Sequence, residues 1–273
     1  MNAPDYPVRV VFCADEVYAM PLAVAVRSLL DNAVTPVEVA VIGRGLTTGT
    51  TDRLYRSWDS DAPVRFVELA ESYLEGLSGW GYVSSTMYGR LLIPNLVPLS
   101  WTRVIYLDAD VVICADLATL FQYDLDGQPI GATPDPLFAQ WWLKHRPQTE
   151  HTAASSIFSS GLMVMDLSRW RAEDLSGTLL ATARRLPEEL QSDQAALNVV
   201  IGNRWARLDH SWNVTTNMYF RGQRDKYATV VANMRIRHFA PFKPWQPRYH
   251  AMPDAKLFRR YLALTDFGSD GSR

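Results

Sequence analysis

The chain is poor in cysteine, in lysine and in net charge, and it has no long apolar run. Two cysteines in 273 residues cannot form a disulfide framework. Both, Cys13 and Cys114, stand in apolar strand-like stretches where reduced core thiols are expected, which fits a cytoplasmic protein. No stretch approaches the ~20 uninterrupted apolar residues that a membrane-spanning helix needs. The opening "MNAPDYPVRVVFCADE" shows no basic segment followed by an apolar core, so no export signal is expected. No compact Lys/Arg run with interleaved aromatics occurs, which argues against nucleic acid as a partner. The net charge of −2 hides an asymmetry. From position 200 onward, 13 Lys and Arg face 5 Asp and Glu, so this part carries +8 and the first 199 residues carry −10. Such a basic region can face phosphates, an anionic membrane surface or the acidic part of its own fold.

Hydrophobic residues make up 48% of the chain and charged residues 21%, enough apolar material for one large α/β domain or two small ones. In the first half, strand-like runs at "VRVVFCA" (8–14), "VEVAVI" (37–42), "VRFVEL" (64–69) and "RVIYLDAD" (103–110) alternate with helical runs at 20–31, 49–58 and 84–97. This alternation predicts βαβ units and a mainly parallel, Rossmann-like central sheet flanked by helices. Ligands in such sheets gather beyond the carboxyl ends of the strands, so Asp15 and Glu16 are expected to share an edge with Asp108 and Asp110. The second half is less regular. Strands are expected at 129–133 and 161–167, flanking a loop or helix bearing Trp141, Trp142, His145 and His151, with helices at 168–186, 190–201 and near 254–264; between them lie "RWARLD" (204–209), a polar aromatic stretch (210–227) and "RIRHFA" (235–240). No internal repeat or clear linker is visible, which points to one domain.

"RVIYLDADVVICADL" places Asp108 and Asp110 one residue apart at the end of a buried strand. Buried carboxylates without a partner are strongly disfavoured, so a metal, an arginine or water must meet them. A P-loop NTPase would need G-x-x-x-x-G-K-[ST], and "GRGLTTGTT" lacks the lysine. Aspartate-nucleophile phosphatases carry a D-x-D that "DADVV" satisfies, but they usually open with it and need a later acidic pair not found here. In nucleotide-sugar glycosyl transfer, a D-x-D pair holds a divalent ion against the donor diphosphate, where it stabilises charge on the leaving group.

"MYGRLLIPNLVP", "RVIYLDADVVICADLATLF", "GATPD", "FSSGLMVMDLSRWR", "SDQAALN" and "HFAPFKPW" follow one another in this order. In these motifs, spread over about residues 8 to 250, the chain resembles family 8 glycosyltransferases. The resemblance implies a GT-A fold, a UDP-sugar donor, Mn²⁺ or Mg²⁺, and transfer with retention. It also implies a nucleotide-binding half over 1–115, an acceptor and catalytic half over 116–265, and a flexible tail over 266–273.

The resemblance assigns Asp108, Asp110 and His238 as metal ligands. Cys13, Ala14, Asp15, Arg90, Ala109, Asp135, Ser159, Ser160 and Lys243 are assigned to the donor, and Asp193 with Gln194 to the catalytic face below the anomeric carbon. Asp135 in "PDP" also reads as a turn, and Asp193 as an acid in a first helical turn. Three departures from the family pattern stand out: Val17 where an Asn is frequent, Ser159 where an Asn is usual, and Pro241 or Phe242 where a Gly is frequent. The Ser159 change suggests altered sugar or acceptor selection. Trp141, Trp142, Trp212, Tyr219 and Phe220 are aromatic faces that could stack on a small-molecule or glycan acceptor, or pack in the core. Other readings are an inverting transferase or nucleotidylyltransferase, although "VFCADEVYA" has no Gly-rich phosphate loop, and a degenerate transferase that binds without turnover.

Overall fold

The computed structural model describes residues 7–58, 60–79, 84–147 and 153–268. His151 and residues 269–273 of the expected tail lie outside the described residues. The strands are β1 (Val8–Asp15), β2 (Val37–Arg44), β3 (Val64–Glu68), β4 (Arg103–Leu107), β5 (Val111–Ile113), β6 (Ile130–Pro134), β7 (Phe158–Asp166), β8 (Trp205–Arg207), β9 (Val214–Thr215) and β10 (Ile236–His238). Seven of them form the central sheet in the order β3-β2-β1-β4-β7-β6-β8. β1 to β4 pair in parallel, β7 runs against both β4 and β6, and β8 is again parallel to β6. The mainly parallel sheet is therefore present, with β7 as its reversed strand.

Helices cover both faces, which is why Val10–Ala14 of β1 read as a continuous apolar run. Val10 and Phe12 point into one core, with Leu22, Val26 and Leu29 of helix Ala19–Asn32. Val11 and Cys13 point into the other, with Leu179 and Ala183 of helix Leu175–Arg185 and with Ala195 and Leu197 of helix Asp193–Ile201. The helix expected over 168–186 divides at Asp174, whose φ of 46° is a left-handed conformation that Asp tolerates better than most residues. The helical stretch expected over 84–97 is a 3₁₀ helix, Ser85–Leu92, running into one α turn, Ile93–Leu96. Pro94 lies at the start of that turn, where its missing N–H costs nothing. Gly89 lets the tight helix press on the sheet, because a Cβ there would lie 3.0 Å from Cys13 Sγ.

After β4 the chain turns through Asp108, Ala109 and Asp110 and leaves the central sheet. β5 pairs antiparallel with β10, which pairs parallel with β9, in a second sheet of three strands. The Ile113 N–H donates to Ser28 Oγ (2.9 Å), pinning β5 to helix Ala19–Asn32. The register His238↔Val111 carries an imidazole from the basic C-terminal region to the acidic turn. Residues 266–268, expected within a flexible tail, are instead docked. Arg56 Nε pairs with Asp266 Oδ2 at 2.7 Å, and the Arg53 guanidinium lies 3.9 Å over the Phe267 ring.

Candidate active site

The chain winds outward from β1 to β3 and then returns to β4 on the other side of β1. β1 and β4 therefore flank the point where the winding reverses, and a crevice opens beyond their carboxyl ends. Cys13, Ala14 and Asp15 line it from β1, Arg90 from the 3₁₀ helix, Asp108, Ala109 and Asp110 from the turn after β4, and Lys243 from the loop after β10. Cys13 to Asp15 are the last residues of β1. Asp15 is fixed at the rim: Oδ1 accepts from the Tyr18 N–H (3.1 Å) and Oδ2 from Ser84 Oγ (2.5 Å). Glu16 lies at the same carboxyl edge, toward the end of β2, but does not line the crevice. It accepts from the Thr47 N–H (2.6 Å) and Thr50 Oγ1 (2.7 Å), beside the start of helix Thr48–Trp58.

Each aspartate of the turn has one oxygen held and the other turned toward His238. Tyr106 Oη donates to Asp108 Oδ1 at 2.7 Å and Arg90 pairs with the same oxygen at 2.8 Å, while Oδ2 lies 3.6 Å from His238 Nε2. Lys243 Nζ holds Asp110 Oδ2, and Oδ1 lies 3.3 Å from the same Nε2. Burial alone would raise the Asp110 pKa, but Lys243 and His238 outweigh it and hold the carboxyl well below the usual carboxylate range. The three residues form a cluster whose donor atoms lie within 4.8 Å of one another. Two oxygens and one imidazole nitrogen suit a hard or borderline divalent cation. The 3.3 and 3.6 Å separations are close to the roughly 3 Å between neighbouring ligands on an octahedron with bonds of about 2.1 Å. Gly161 of β7 keeps this space clear, since a Cβ there would meet His238 Cε1 at 2.4 Å and Asp108 Oδ2 at 2.8 Å. The residues present fit the ion.

Behind the turn lies a buried ionic network. Arg90 is 7% exposed and pairs with Asp108 and, through Nε at 3.1 Å, with Asp193. Burial opposes its charge, but the two carboxylates outweigh it and push the guanidinium above its ordinary value. Asp193 is raised by burial, with Arg90 only partly offsetting that. Ser160 Oγ joins them, 3.0 Å from Asp193 Oδ2 and 3.1 Å from Gln194 Oε1. Gln194 Nε2 donates to Asp135 Oδ2 (3.1 Å), and Asp135 Oδ1 caps helix Pro136–His145 by accepting from the Phe138 N–H (2.9 Å). Asp135 is thus both a cap and a partner of Gln194. Asp193 is buried among partners, whereas Gln194 is held at both ends of its amide.

Residues 9–248 match glycosyl transferase family 8. The chain belongs to this family. Among similar curated proteins, general stress protein A of Bacillus subtilis is 27% identical over 98% of this chain and 97% of its own length. The glycosyltransferase GlyF of Streptococcus pneumoniae is 26% identical over 86% of this chain but 56% of its own length. Among solved structures, the galactosyltransferase LgtC in complex with donor and acceptor sugar analogs superposes with a TM-score of 0.79 at 22% identity, over 94% of this chain and 96% of that one. The fold is accordingly of the GT-A type, and family membership makes the chain an enzyme of sugar transfer.

Several sequence expectations for this glycosyltransferase land elsewhere in the fold. Trp142 and Trp212 are packed in the two cores and offer no face to an acceptor. Trp141 stacks on His145 with ring centroids 5.1 Å apart, and Phe220, 44% exposed, is the more open of the expected aromatics. Ser159, expected near the donor sugar, turns its hydroxyl to Asn213, whose Nδ2 donates to it at 3.2 Å. Val17 is 80% exposed at the rim. Part of the C-terminal positive excess is compensated within the fold, through Lys243–Asp110 and Arg204–Glu173. Both cysteines are free, and burial pushes the Cys13 thiol up to about 12. Among the described residues, no helix is long and apolar enough to cross a membrane. Asn213 was missed by sequence reasoning. An asparagine in a polar aromatic stretch carries no spacing signal, and only the pairing of β9 with β10 brings it to His238.

Proposed function

We propose that this chain transfers a sugar from a UDP-sugar to a small-molecule or glycan acceptor with retention, using Mn²⁺ or Mg²⁺ held by Asp108, Asp110 and His238. The observation that supports it above all is the convergence of Asp108 Oδ2, Asp110 Oδ1 and His238 Nε2 beside Lys243, at the carboxyl ends of β1 and β4. The nucleotide end rests on residues before 115, and the acceptor and catalytic end on residues 116–265. Asp15, fixed by the Tyr18 N–H and Ser84, accepts from uracil N3–H in this reading, with the neutral Cys13 thiol lining the same crevice. Lys243 turns from Asp110 to the diphosphate, and Arg90 faces the sugar-phosphate junction with its charge secured by Asp108 and Asp193. The bound ion supplies stabilisation of negative charge on the departing diphosphate.

The bond between the anomeric carbon and the diphosphate oxygen breaks, and the acceptor oxygen bonds to the same face of that carbon. The acceptor hydroxyl proton passes to the departing phosphate oxygen, leaving UDP and the glycoside. Gln194, with Oε1 accepting from Ser160 and Nε2 donating to Asp135, acts as a fixed dipole against the developing positive charge. An amide so engaged is a poor nucleophile, which favours the same-face route over a covalent intermediate. Asp193 contributes by holding Arg90.

The test is thermal stabilisation by UDP with and without Mn²⁺, followed by hydrolysis of a panel of UDP-sugars with the product anomer read by NMR. UDP stabilisation that requires Mn²⁺ and is lost in Asp110→Ala is expected. Metal-indifferent UDP binding, or release of the inverted anomer, would refute this reading.

A further inference from the structure

Asn213 ends the short 3₁₀ turn His210–Trp212 and immediately precedes β9, which lies against β10. Its side chain is 2% exposed and every polar atom of it is engaged. Nδ2 donates to Thr133 Oγ1 at 3.0 Å and lies 3.2 Å from Ser159 Oγ, while Oδ1 lies 2.9 Å from His238 Nδ1. The amide N–H groups thus meet two hydroxyls on one side, and the carbonyl faces the imidazole on the other. A carbonyl can only accept, so Nδ1 must carry the proton. The Nε2 lone pair then points between Asp108 and Asp110.

From this arrangement we infer that Asn213 is a positioning residue for the metal site: its carbonyl fixes the proton of His238 on Nδ1, while its amide N–H groups are taken up by Thr133 and Ser159. The inference rests on the proposed metal role of His238. An amide turned the other way would place N–H against Nδ1 and drive the ring proton to Nε2, where it would block an ion. A ligating histidine tuned by the acceptor on its other nitrogen is a general feature of metal centres, and loss of such a partner costs 10–100-fold in metal affinity. Ser159, which departs from the family pattern, then acts through Asn213 and not through the sugar.

The test uses the full chain and Mn²⁺ alone, with affinity read from the EPR signal of free Mn²⁺ and imidazole ligation from nitrogen modulation of the bound ion. Asn213→Leu removes the acceptor and is expected to weaken Mn²⁺ binding 10–100-fold and to abolish the nitrogen modulation. Asn213→Asp keeps an acceptor oxygen but cannot donate to Thr133 or Ser159. It is expected to bind Mn²⁺ at least as tightly as the parent and to retain the modulation. Were the role of Asn213 merely structural, both variants would fail alike, and that result overturns the inference. Asn213→Ala, which leaves room for a water, replaces the leucine variant if the latter does not melt cooperatively. Parent protein whose bound Mn²⁺ shows no imidazole nitrogen would refute the site itself. A parent with that signal and an Asn213→Leu variant indistinguishable from it would refute the role of Asn213 alone.

Discussion

Gly161→Ala is the sharpest perturbation that the geometry offers, because it adds one methyl group and removes no functional atom. The new Cβ would stand 2.4 Å from His238 Cε1, 2.8 Å from Asp108 Oδ2 and 3.1 Å from His238 Nδ1, where ordinary contacts begin near 3.4 Å. The imidazole must therefore recede by 1.0 Å, or β7 must move. β7 is held between β4 and β6, and the Asp108 N–H donates to the Gly161 carbonyl at 2.9 Å, so the strand cannot shift without dragging the acidic turn. Overpacking of this kind costs about 1–3 kcal/mol, a loss of roughly 2–12 °C in Tm for a domain of this size. A misplacement of about 1 Å at a catalytic centre costs on the order of 10²-fold in rate, and Mn²⁺ affinity should fall by about 10- to 100-fold. The assays are Mn²⁺ titration by EPR, UDP-sugar hydrolysis and thermal melting. Gly49→Ala is the control, since its Cβ would meet nothing closer than Thr47 Oγ1 at 4.0 Å. A Gly161→Ala protein that binds Mn²⁺ within threefold of the parent would show that the space between His238 and Asp108 does not hold an ion.

Lys243→Met removes the ammonium that occupies Asp110 Oδ2. It is expected to tighten the binding of Mn²⁺ alone by about tenfold, since a like charge leaves the site. It should weaken UDP in the presence of Mn²⁺ by about 10- to 100-fold, the loss of one charge-assisted hydrogen bond; calorimetric titration measures both, and a parallel fall in the two affinities sinks the idea. Asp116 lies away from the site, where Oδ2 accepts from the N–H groups of Val34 (2.7 Å) and Thr35 (2.8 Å) and Oδ1 from that of Ala118 (2.8 Å). Burial raises its pKa, but these bonds outweigh it and leave the folded pKa below the unfolded one. Its stabilisation is thus present above the unfolded pKa of about 3.9 and lost as pH falls through the folded value. Asp116→Ala should lower the Tm by a few degrees at pH 7, and its gap from the parent should shrink below about pH 4; a gap independent of pH would contradict this.

Much of the frame was legible because burial on both faces leaves a strong trace: β1, β2 and β4 are apolar runs separated by helical periods, and that pattern implies crossovers. The direction of β7 left no such trace. A strand buried on both faces looks the same whichever way it runs, and only its pairing with β4 and β6 reveals the reversal. The acidic turn, His238 and Lys243 were visible through motif order, although some 130 residues separate Asp110 from Lys243 in sequence. What escaped are the residues that act through others. Asn213 reaches His238 only because β9 lies against β10, and Glu16, at the expected edge, turns from the crevice to the Thr47 N–H and Thr50. Trp142 and Trp212 carry aromatic faces that sequence alone cannot distinguish from an acceptor platform, whereas packing assigns both to the cores.

The charges of the network explain why the site would take an ion and a diphosphate together. Three carboxylates, Asp108, Asp110 and Asp193, are linked to two cations, Arg90 and Lys243, beside the His238 imidazole. Such a cluster is tolerable because every carboxylate touches a cation. A divalent cation held by Asp108, Asp110 and His238 would add two positive charges and compete with Lys243 for Asp110. That added charge and the ammonium would then stand at the same end of the crevice, where a diphosphate would restore balance. Each ligand would thereby improve the electrostatic setting for the other, and thermodynamic linkage would make that gain reciprocal. Lys243 would be the hinge of such an exchange, neutralising Asp110 before an ion arrives and the diphosphate afterwards.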